Sequence, residues 1–245
     1  MNIEAINSAN GCNIIFSVTR EILDKYKHIN VPKHFIHHGL AKEFINVQKV
    51  SFEKDDLIRV GVSGNFLRND IDRPILLRII QENSNVIFDF FGSYLSNQSN
   101  IGGGSDSNEQ IEFINKLQGF KNVIMYGPIN PKQLAIEFQR MDAFLICYDI
   151  QKDQSKGTNY HKVMEYLSTG KVIMSNNITT YSSMDDLIVM CNNRLNNDEL
   201  LVIFRYVILN LDNFNSDKLY EKRKEFASSN SYSNKILKIQ KILND

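Results

Sequence analysis

The sequence predicts an α/β fold in which helices cover both faces of a parallel sheet. Short runs rich in Val, Ile and Phe recur, segments of helical spacing lie between them, and Gly, Asn or Pro stands at most boundaries. Strands buried on both faces form near-continuous apolar runs, and alternation with helices favours parallel pairing. We therefore expect a doubly wound sheet with strands at 58–62, 86–91, 123–126, 144–148, 172–175 and 187–191.

Helices are predicted between these strands, at 72–82, 108–118, 131–140 and 159–169, with a short one near 182–185. Asp72 is a suitable N-cap because its carboxylate can accept hydrogen bonds from the first turn, where Pro74 also fits. Gly170 can end its helix in the left-handed conformation that other residues rarely adopt. The capping residues thus agree with the boundaries that periodicity indicates.

Three segments are expected along the chain: 1–46, 47–215 and 216–245. The first holds strands at 13–17 and 34–37 around a helix at 19–27, and two strands alone make no stable domain. The second holds the sheet, and its polar stretch 96–107 is expected to be a loop. The third is a charged helical tail.

Composition limits the partners and the location of the protein. The 245 residues are 42% hydrophobic, and 28 Lys plus Arg balance 28 Asp plus Glu, which gives no net field for nucleic acid. The three cysteines are scattered, which favours reduced thiols. No transmembrane segment is expected, because the longest apolar stretch, 200–211, carries Arg205 and is too short. With no secretory signal in the sequence, we expect a cytoplasmic protein.

A ligand site is predicted beyond the carboxyl ends of the strands, where open sheets of this type bind ligands. Turns at 61–65, 92–94 and 127–129 reach that edge, as does the chain around Tyr148. Pro128, Ile129 and Tyr148 are therefore candidate contacts.

The stretch Thr158-Asn159-Tyr160-His161-Lys162-Val163 also reaches this edge and opens a helix. Free N–H groups, a positive helix end and the ammonium of Lys162 would suit a diphosphate. Glu165, one turn further on, could accept hydrogen bonds from sugar hydroxyls. On spacing alone, a surface ion pair between Lys162 and Glu165 is the simpler interpretation; the Gly170 stop and the strand that follows favour a binding site.

Six segments in order carry a family resemblance. Residues 58–64 resemble an opening strand and glycine turn, 122–127 an "NV…G" strand, 141–148 an "aDv.l.py" strand, and 162–171 the signature "K..EYLa.GKPV". Residues 14–44 resemble the end of an amino-terminal domain, and 226–243 a closing helix. Together they resemble GT-B fold glycosyltransferases of the family-4-like, nucleotide-sugar-dependent kind, mainly the carboxyl-terminal domain.

The resemblance implies a Rossmann-like sheet that holds a nucleotide sugar, with residues 1–46 as a partial remnant of the acceptor domain. Lys162 would neutralise the diphosphate and Glu165 would bind the ribose hydroxyls. Gly64 and Asn65 would let the backbone approach the phosphates, and Arg68 or Arg73 could add a second positive charge. Relatives usually retain the anomeric configuration and need no metal. We therefore expect no metal and no cofactor, with a UDP- or GDP-linked sugar as the substrate.

Three departures from the family pattern stand out. The family often carries a second glutamate eight positions before Glu165, and that position is Gly157 here. His161 stands close to where relatives have proline. Roughly a hundred or more residues of acceptor domain, judged from usual domain sizes, have no counterpart.

Two metal-site alternatives are less favoured. Asp70 and Asp72 spell a DxD pattern, but Asp72 is better explained as a helix cap. His34, His37 and His38 lie on or after one strand whose alternate residues face opposite sides, which disfavours a common ligand set.

The leading hypothesis is a glycosyltransferase, or its donor-binding half, that transfers a sugar to a glycan or lipid-linked acceptor. A partner chain would supply the acceptor domain, or the sequence is a truncated version of a longer enzyme; the chain could also form a homo-oligomer, and it could work at the inner face of the membrane. The alternative is a non-catalytic remnant that binds a nucleotide sugar or a partner protein.

Overall fold

A computed structural model describes residues 9–47, 50, 52, 57–95 and 107–244. Most of the stretch predicted as a loop at 96–107 lies outside these residues. The strands are β1 (Ile15–Ser17), β2 (Lys33–Phe35), β3 (Ile58–Ser63), β4 (Val86–Phe91), β5 (Val123–Gly127), β6 (Ala143–Ile146), β7 (Val172–Ser175) and β8 (Val189–Met190). The expected α/β class is confirmed.

Helices alternate with these strands. They are α1 (Arg20–Lys25), α2 (Arg73–Glu82), α3 (Asn108–Gly119), α4 (Pro131–Phe138), α5 (Lys162–Leu167), α6 (Asp198–Leu209), α7 (Leu211–Phe214), α8 (Asp217–Ser229) and α9 (Tyr232–Asn244). The predicted caps are confirmed, since Asp72 accepts a hydrogen bond from the Ile75 N–H and Gly170 has φ +79°. The helix predicted near 182–185 was wrong, because the chain instead forms a 3-10 turn at Thr179–Tyr181.

The main sheet has six parallel strands in the order β5-β4-β3-β6-β7-β8. The chain builds outward from β3 to β5, returns to the other side of β3 and then builds outward to β8. The strand order therefore reverses between β3 and β6. Loops after these two strands diverge there and leave a crevice, which is where such sheets bind ligands.

Helices cover both faces of the sheet, as alternating side chains along β6 illustrate. Ala143 and Leu145 join one buried cluster with residues of α2, α3 and α6. Phe144 and Ile146 join the opposite cluster with residues of α4, α5 and α8. Burial of each large apolar side chain contributes about 1.5–3 kcal/mol, so both layers stabilise the sheet. The sheet edge that carries the loops is thus held by two separate cores.

Two elements near the predicted site are shorter than expected. The strand predicted at 144–148 ends at Ile146 because the next two residues bond outside the sheet. The Cys147 carbonyl accepts a hydrogen bond from the Asp72 N–H at 3.1 Å, and the Tyr148 N–H donates to the Asn176 side chain at 2.9 Å. Helix 159–169 is reduced to Lys162–Leu167. Side-chain bonds of the preceding loop, described below, compete with helix formation there.

The amino-terminal residues pack against the carboxyl-terminal helices. β1 and β2 form a two-stranded parallel sheet. The Leu40 N–H donates to the Asn230 carbonyl at 2.9 Å, and the Tyr232 N–H donates back to the Leu40 carbonyl at 3.0 Å. Leu40 and Phe44 are buried in the cluster that contains Phe138. Across the described ranges, no helix has both the length and the apolar character needed to cross a membrane.

Candidate functional site

Lys162 lies at the crevice where the strand order reverses. The residue is only 7% exposed. Its ammonium donates one hydrogen bond to the Ser63 carbonyl at the end of β3. It donates another to the Tyr148 hydroxyl just after β6, at 2.6 Å. Burial disfavours the charge, but Tyr148, Tyr166 and Glu165 outweigh it and raise the pKa of Lys162. The crevice therefore holds a charged ammonium at neutral pH.

The described partners of this ammonium are neutral oxygens. Among the residues that the structure describes, no carboxylate lies within ion-pair distance of Lys162. A lysine ammonium has three N–H donors, and two of them are used here. Burial of a charge is costly without a compensating charge or hydrogen bonds. An anionic ligand would supply what these groups lack.

Tyr166 fixes α5 against the same strand end. It lies one turn after Lys162, and its hydroxyl accepts a hydrogen bond from the Ser63 N–H at 2.7 Å and contacts the Ser63 hydroxyl at 2.9 Å. Its buried ring stacks on Phe144 with centroids 4.1 Å apart. Lys162 and Tyr166 thus hold both polar backbone groups of Ser63, and the ammonium has a defined position.

Gly64 forms the turn directly beneath the ammonium. Its φ is +144°, and a Cβ at this position would lie 2.9 Å from Lys162 Nζ and 3.3 Å from the Tyr148 hydroxyl. The Gly64 carbonyl in turn leaves no room for a Cβ at Gly92, which would lie 1.9 Å from it. Glycine is needed for this conformation, and its small size brings the backbone close to the charge.

Arg68 places a second cation beside the crevice. Its guanidinium lies 5.8 Å from the centre of the Tyr148 ring. Lys162 Nζ lies 4.9 Å from the centre of the same ring. The guanidinium pairs with Asp70 and lies 3.9 Å from Asp153. The hydrogen bond that Arg68 donates to the Asp70 carboxylate raises the pKa of Arg68, so the group stays charged. The adjacent Asn65 side chain accepts from the Leu67 N–H at 3.0 Å and shapes the same turn.

Asp153 organises the loop that leads to α5. Its carboxylate accepts hydrogen bonds from the Ser155 N–H at 3.0 Å, the Ser155 hydroxyl at 2.5 Å, the Gly157 N–H at 2.9 Å and the Tyr160 hydroxyl at 2.7 Å. Burial opposes the charge, but these donors prevail and lower the pKa of Asp153. A single carboxylate therefore fixes the whole loop.

The residues that open the predicted helix are instead part of this loop. Asn159 donates to the Val18 carbonyl at 2.8 Å, and the Thr158 carbonyl accepts from the Thr180 N–H at 3.1 Å. The Tyr160 ring lies 5.0 Å from the Tyr148 ring. These contacts explain the late start of α5, and they bring the amino-terminal segment close to the crevice.

Gly157 stands where the family pattern often has a glutamate. Its φ is +63°, and a Cβ would lie 2.7 Å from the Asn177 carbonyl and 3.2 Å from Ile150. A glutamate would therefore require this loop to move. The departure from the family pattern has a local structural cause.

Glu165 lies on α5 and is half-buried. Burial raises the pKa of its carboxyl group, and Lys162 partly offsets that effect. Within the described residues, its carboxylate accepts no hydrogen bond, so it is free to receive ligand hydroxyls.

Two predicted contacts, Arg73 and Val163, are placed differently. Arg73 pairs with Glu109 at 3.1 Å and covers the Phe113 ring at 5.3 Å, so its guanidinium is engaged by α3 instead of the crevice. The Val163 side chain is fully buried in the core, and its N–H donates to the Tyr160 carbonyl at 3.2 Å. That N–H is therefore not free for an anion, which corrects the expectation of unpaired groups at the start of α5.

The loop after β5 reaches the same edge of the sheet. The Gly92 N–H donates to the Gly127 carbonyl at 2.9 Å, and the Gly64 N–H donates to the Phe91 carbonyl at 2.9 Å. Pro128 and Ile129 follow directly. The structure records no contact between either residue and Lys162, so their assignment stays a prediction.

Sequence reasoning missed the supporting residues Ser63, Asp153, Tyr166 and Asn176. The signature "K..EY" already contains Tyr166, at the i, i+4 position from Lys162, so helical spacing could have identified it. The role of Asp153 in the loop is harder to predict, because its only indication in the sequence is an acidic residue shortly before Ser155 and Gly157. Asp72 is used as a helix cap, and no group of three or more His, Cys, Asp or Glu within the described ranges could hold a metal ion.

Cavity sizes separate this crevice from other hollows on the molecule. The cavity lined by Ser63, Gly64, Tyr148 and Lys162 has a volume of about 20 Å³, room for one water molecule. A hollow of about 590 Å³ lies between residues 183–187 and α8, and one of about 870 Å³ lies at the amino ends of β3 and β7. We assign the site to the crevice because the ammonium of Lys162, whose described partners are neutral, lies there. A ligand would lie above the strand ends.

Comparison with known proteins identifies the fold. In sequence the chain matches no protein-family model and no curated protein. Its structure is similar to that of HepE (Alr3699) from Anabaena, solved in complex with UDP-glucose, with a TM-score of 0.69 and 12% identity over 98% of this chain and 66% of that one.

Two further similar structures are enzymes by name. Sucrose-phosphate synthase from Thermosynechococcus elongatus has a TM-score of 0.67 and 12% identity over 94% of this chain and 57% of its own. The pneumococcal O-GlcNAc transferase GtfA, in complex with UDP and GlcNAc, has a TM-score of 0.61 and 13% identity over 99% of this chain and 47% of its own.

These three neighbours are GT-B glycosyltransferases. The chain spans less than two thirds of each of them. At such low identity the likeness shows the fold alone. The chain has a Rossmann-like α/β fold of the kind found in GT-B glycosyltransferases.

Proposed function

We propose that the chain binds a nucleotide-diphosphate sugar and acts as a glycosyltransferase or as its donor-binding half. One observation carries the proposal: a buried ammonium, Lys162, lies at the strand-order reversal with only neutral oxygens as described partners. A diphosphate matches this position in charge, and it would lie above the strand ends with an oxygen directed at the ammonium. The GT-B fold raises the expectation of such a donor, because HepE was solved with UDP-glucose.

The chemistry assigned to the site is stabilisation of a leaving group. Glycosyl transfer develops negative charge on the departing nucleoside diphosphate, and a fixed cation in a low-dielectric crevice stabilises that charge strongly. Lys162 supplies the cation, and Arg68 adds a second charge at the rim. Glu165 accepts hydrogen bonds from the ribose. We propose a UDP- or GDP-linked sugar, a retaining and metal-independent reaction of the family-4-like kind, and a glycan or lipid-linked acceptor.

The chain spans 66% of HepE and about half of GtfA and sucrose-phosphate synthase. Residues 1–46 are proposed to be the end of an acceptor domain, and the remainder of that domain would come from a partner chain or from further sequence of a longer enzyme. The reaction is proposed to take place in the cytoplasm, at the inner face of the membrane if the acceptor carries a lipid.

The test is isothermal calorimetry with a panel of UDP-, GDP- and dTDP-sugars. At least one should bind, and Lys162→Met should weaken its affinity about tenfold or more, since hydrogen bonds to charged groups are each worth about 1.5–3 kcal/mol. Lys116→Met is the matched control, because Lys116 is an exposed lysine paired with Glu112 on α3. Circular dichroism should show that both variants are folded.

Binding that is equal in the wild type and in Lys162→Met would contradict the assignment of the site. Glu165→Gln serves as a second probe that disturbs no described hydrogen bond. It should weaken binding of the nucleotide sugar and leave binding of inorganic pyrophosphate unchanged, because pyrophosphate has no ribose.

A non-catalytic binding subunit is the second candidate. Gly157 favours it, since the loop has no room for the glutamate often found there. Hydrolysis or transfer of the donor separates the two functions. Nucleotide-sugar binding without turnover, with or without candidate partner chains, would support the binding role.

A further inference from the structure

Two histidines from distant parts of the sequence face each other at the rim of the crevice. His38 follows β2, and His161 immediately precedes Lys162 at the start of α5. Their ring centroids are 6.2 Å apart at an interplanar angle of 75°. The His161 side chain makes no capping hydrogen bond to α5, so capping does not explain why a histidine stands at this position.

The charges around the pair are mostly positive. Partial burial, followed by Lys162, His38 and Arg68, lowers the pKa of His161 to about 4. Burial lowers the pKa of His38. His161 is therefore neutral at pH 7 in the absence of a ligand.

Other ionisable groups near the pair differ in their response to pH. His37 lies beside His38, and burial with several nearby cations lowers its pKa to about 4. Asp153 has a lowered pKa, so it stays ionised in mildly acidic solution. Burial raises the pKa of Glu165, so its contribution to any pH dependence is tested separately. An anion bound on Lys162 would offset the positive charge of Lys162 that acts on His161.

We propose that His38 and His161 are further ligands of the diphosphate of the nucleotide sugar and take up a proton as it binds. The inference rests on the proposed function of the Lys162 site and extends the site to the amino-terminal segment. Each imidazole would donate an N–H to a phosphate oxygen. The diphosphate would then join the segment that carries His38 to the segment that carries Lys162.

The proposal predicts that affinity rises as the pH falls. A negative charge about 5 Å from an imidazole, at an effective dielectric constant of about 20, raises its pKa by about two units. The pKa of His161 would move from about 4 to about 6. Since the bound form then holds the proton more tightly, affinity should increase about four- to tenfold from about pH 8 to about pH 5.5.

The experiment is calorimetry of the full chain with the tightest-binding nucleotide sugar of the panel, at both pH values. A nucleotide sugar is the right probe because both of its phosphates are diesters, whereas the terminal phosphate of a free nucleotide titrates near pH 6. Buffers with different ionisation heats report the protons taken up. The wild type should take up about one proton at the lower pH and almost none at the higher.

The variants are His38→Gln, His161→Gln and the double variant, with His28→Gln as the control, since His28 is exposed in the turn that follows α1. Each single variant should reduce the proton uptake, and the double variant should remove the pH dependence of affinity. The pH series is repeated in Glu165→Gln, where the dependence should persist because it does not arise from that carboxyl group. Circular dichroism confirms folding.

The outcomes separate this inference from the proposed function. If the double variant keeps the wild-type pH dependence while Lys162→Met loses affinity, the histidines are not ligands and the Lys162 site stands. If the dependence disappears in Glu165→Gln, it belongs to Glu165 and the inference is overturned. If no nucleotide sugar binds, the proposed function itself fails.

Discussion

At the scale of single residues, the crevice combines a buried cation with a turn that only glycine can form. Lys162 reaches across from α5 to the carbonyl of Ser63, and Gly64 follows with its φ at +144°. The two features depend on each other, because a side chain on Gly64 would occupy the space of the ammonium. The charge and the close backbone approach are therefore one structural unit.

Gly64→Ala tests this dependence. We expect a loss of about 1–3 kcal/mol in the free energy of unfolding, because the left-handed backbone strains any residue with a Cβ. Nucleotide-sugar affinity should also fall as Lys162 Nζ is displaced. Gly119→Ala is the control, since a Cβ there meets nothing within 4 Å. Chemical denaturation and calorimetry measure the two effects, and equal stability of the two variants would contradict the account.

The sequence predicted these residues to different degrees. Lys162, Glu165 and Gly64 follow from a helix signature and a glycine turn at strand ends. Arg73 was also predicted, but its side chain turns to Glu109, because the choice between a ligand and a neighbouring helix depends on the packing of α3. Periodicity carries no information on such a choice.

At the scale of elements, the position of α5 is set from both ends. Lys162 and Tyr166 join it to the end of β3, and Gly170 ends the helical turn in a left-handed conformation before β7. The order of helix and strand was predictable from apolar spacing. The start of α5 was not, because the loop bonds of Asn159 and Tyr160 involve Val18 and Asp153, which local propensity does not reveal.

Asp153→Asn tests the role of the loop before α5. The charged carboxylate accepts four hydrogen bonds, and the neutral amide should hold them less well, which costs about 1–3 kcal/mol at pH 7. The pKa of Asp153 is lowered in the folded protein, so its stabilisation is complete above the unfolded pKa of about 4 and is lost below it.

The difference between wild type and Asp153→Asn should therefore shrink as the pH falls below about 4. Urea denaturation over a pH series measures it. Asp212→Asn, at an exposed position of α7, should show little difference at any pH. A destabilisation by Asp153→Asn that does not depend on pH would show that the carboxylate charge has no role.

At the scale of the whole molecule, the segment around Leu40 packs against the carboxyl-terminal helices α8 and α9. Leu40 pairs with Ser231 in a parallel bridge, and the ring of His37 lies 5.5 Å from that of Phe226. The amino-terminal segment also contacts the site loop through Asn159. The parallel sheet with helices on both faces was predictable from the alternation of elements, whereas these contacts between distant residues could not be read from local sequence.

The central claim is that a nucleotide-diphosphate sugar binds in the Lys162 crevice. A crystal structure of the protein with the tightest-binding nucleotide sugar tests it most directly. We predict that an oxygen of the diphosphate lies within about 3 Å of Lys162 Nζ, with the ribose hydroxyls at Glu165. A nucleotide bound elsewhere, for example in the hollow between residues 183–187 and α8, with the crevice empty, would contradict the account.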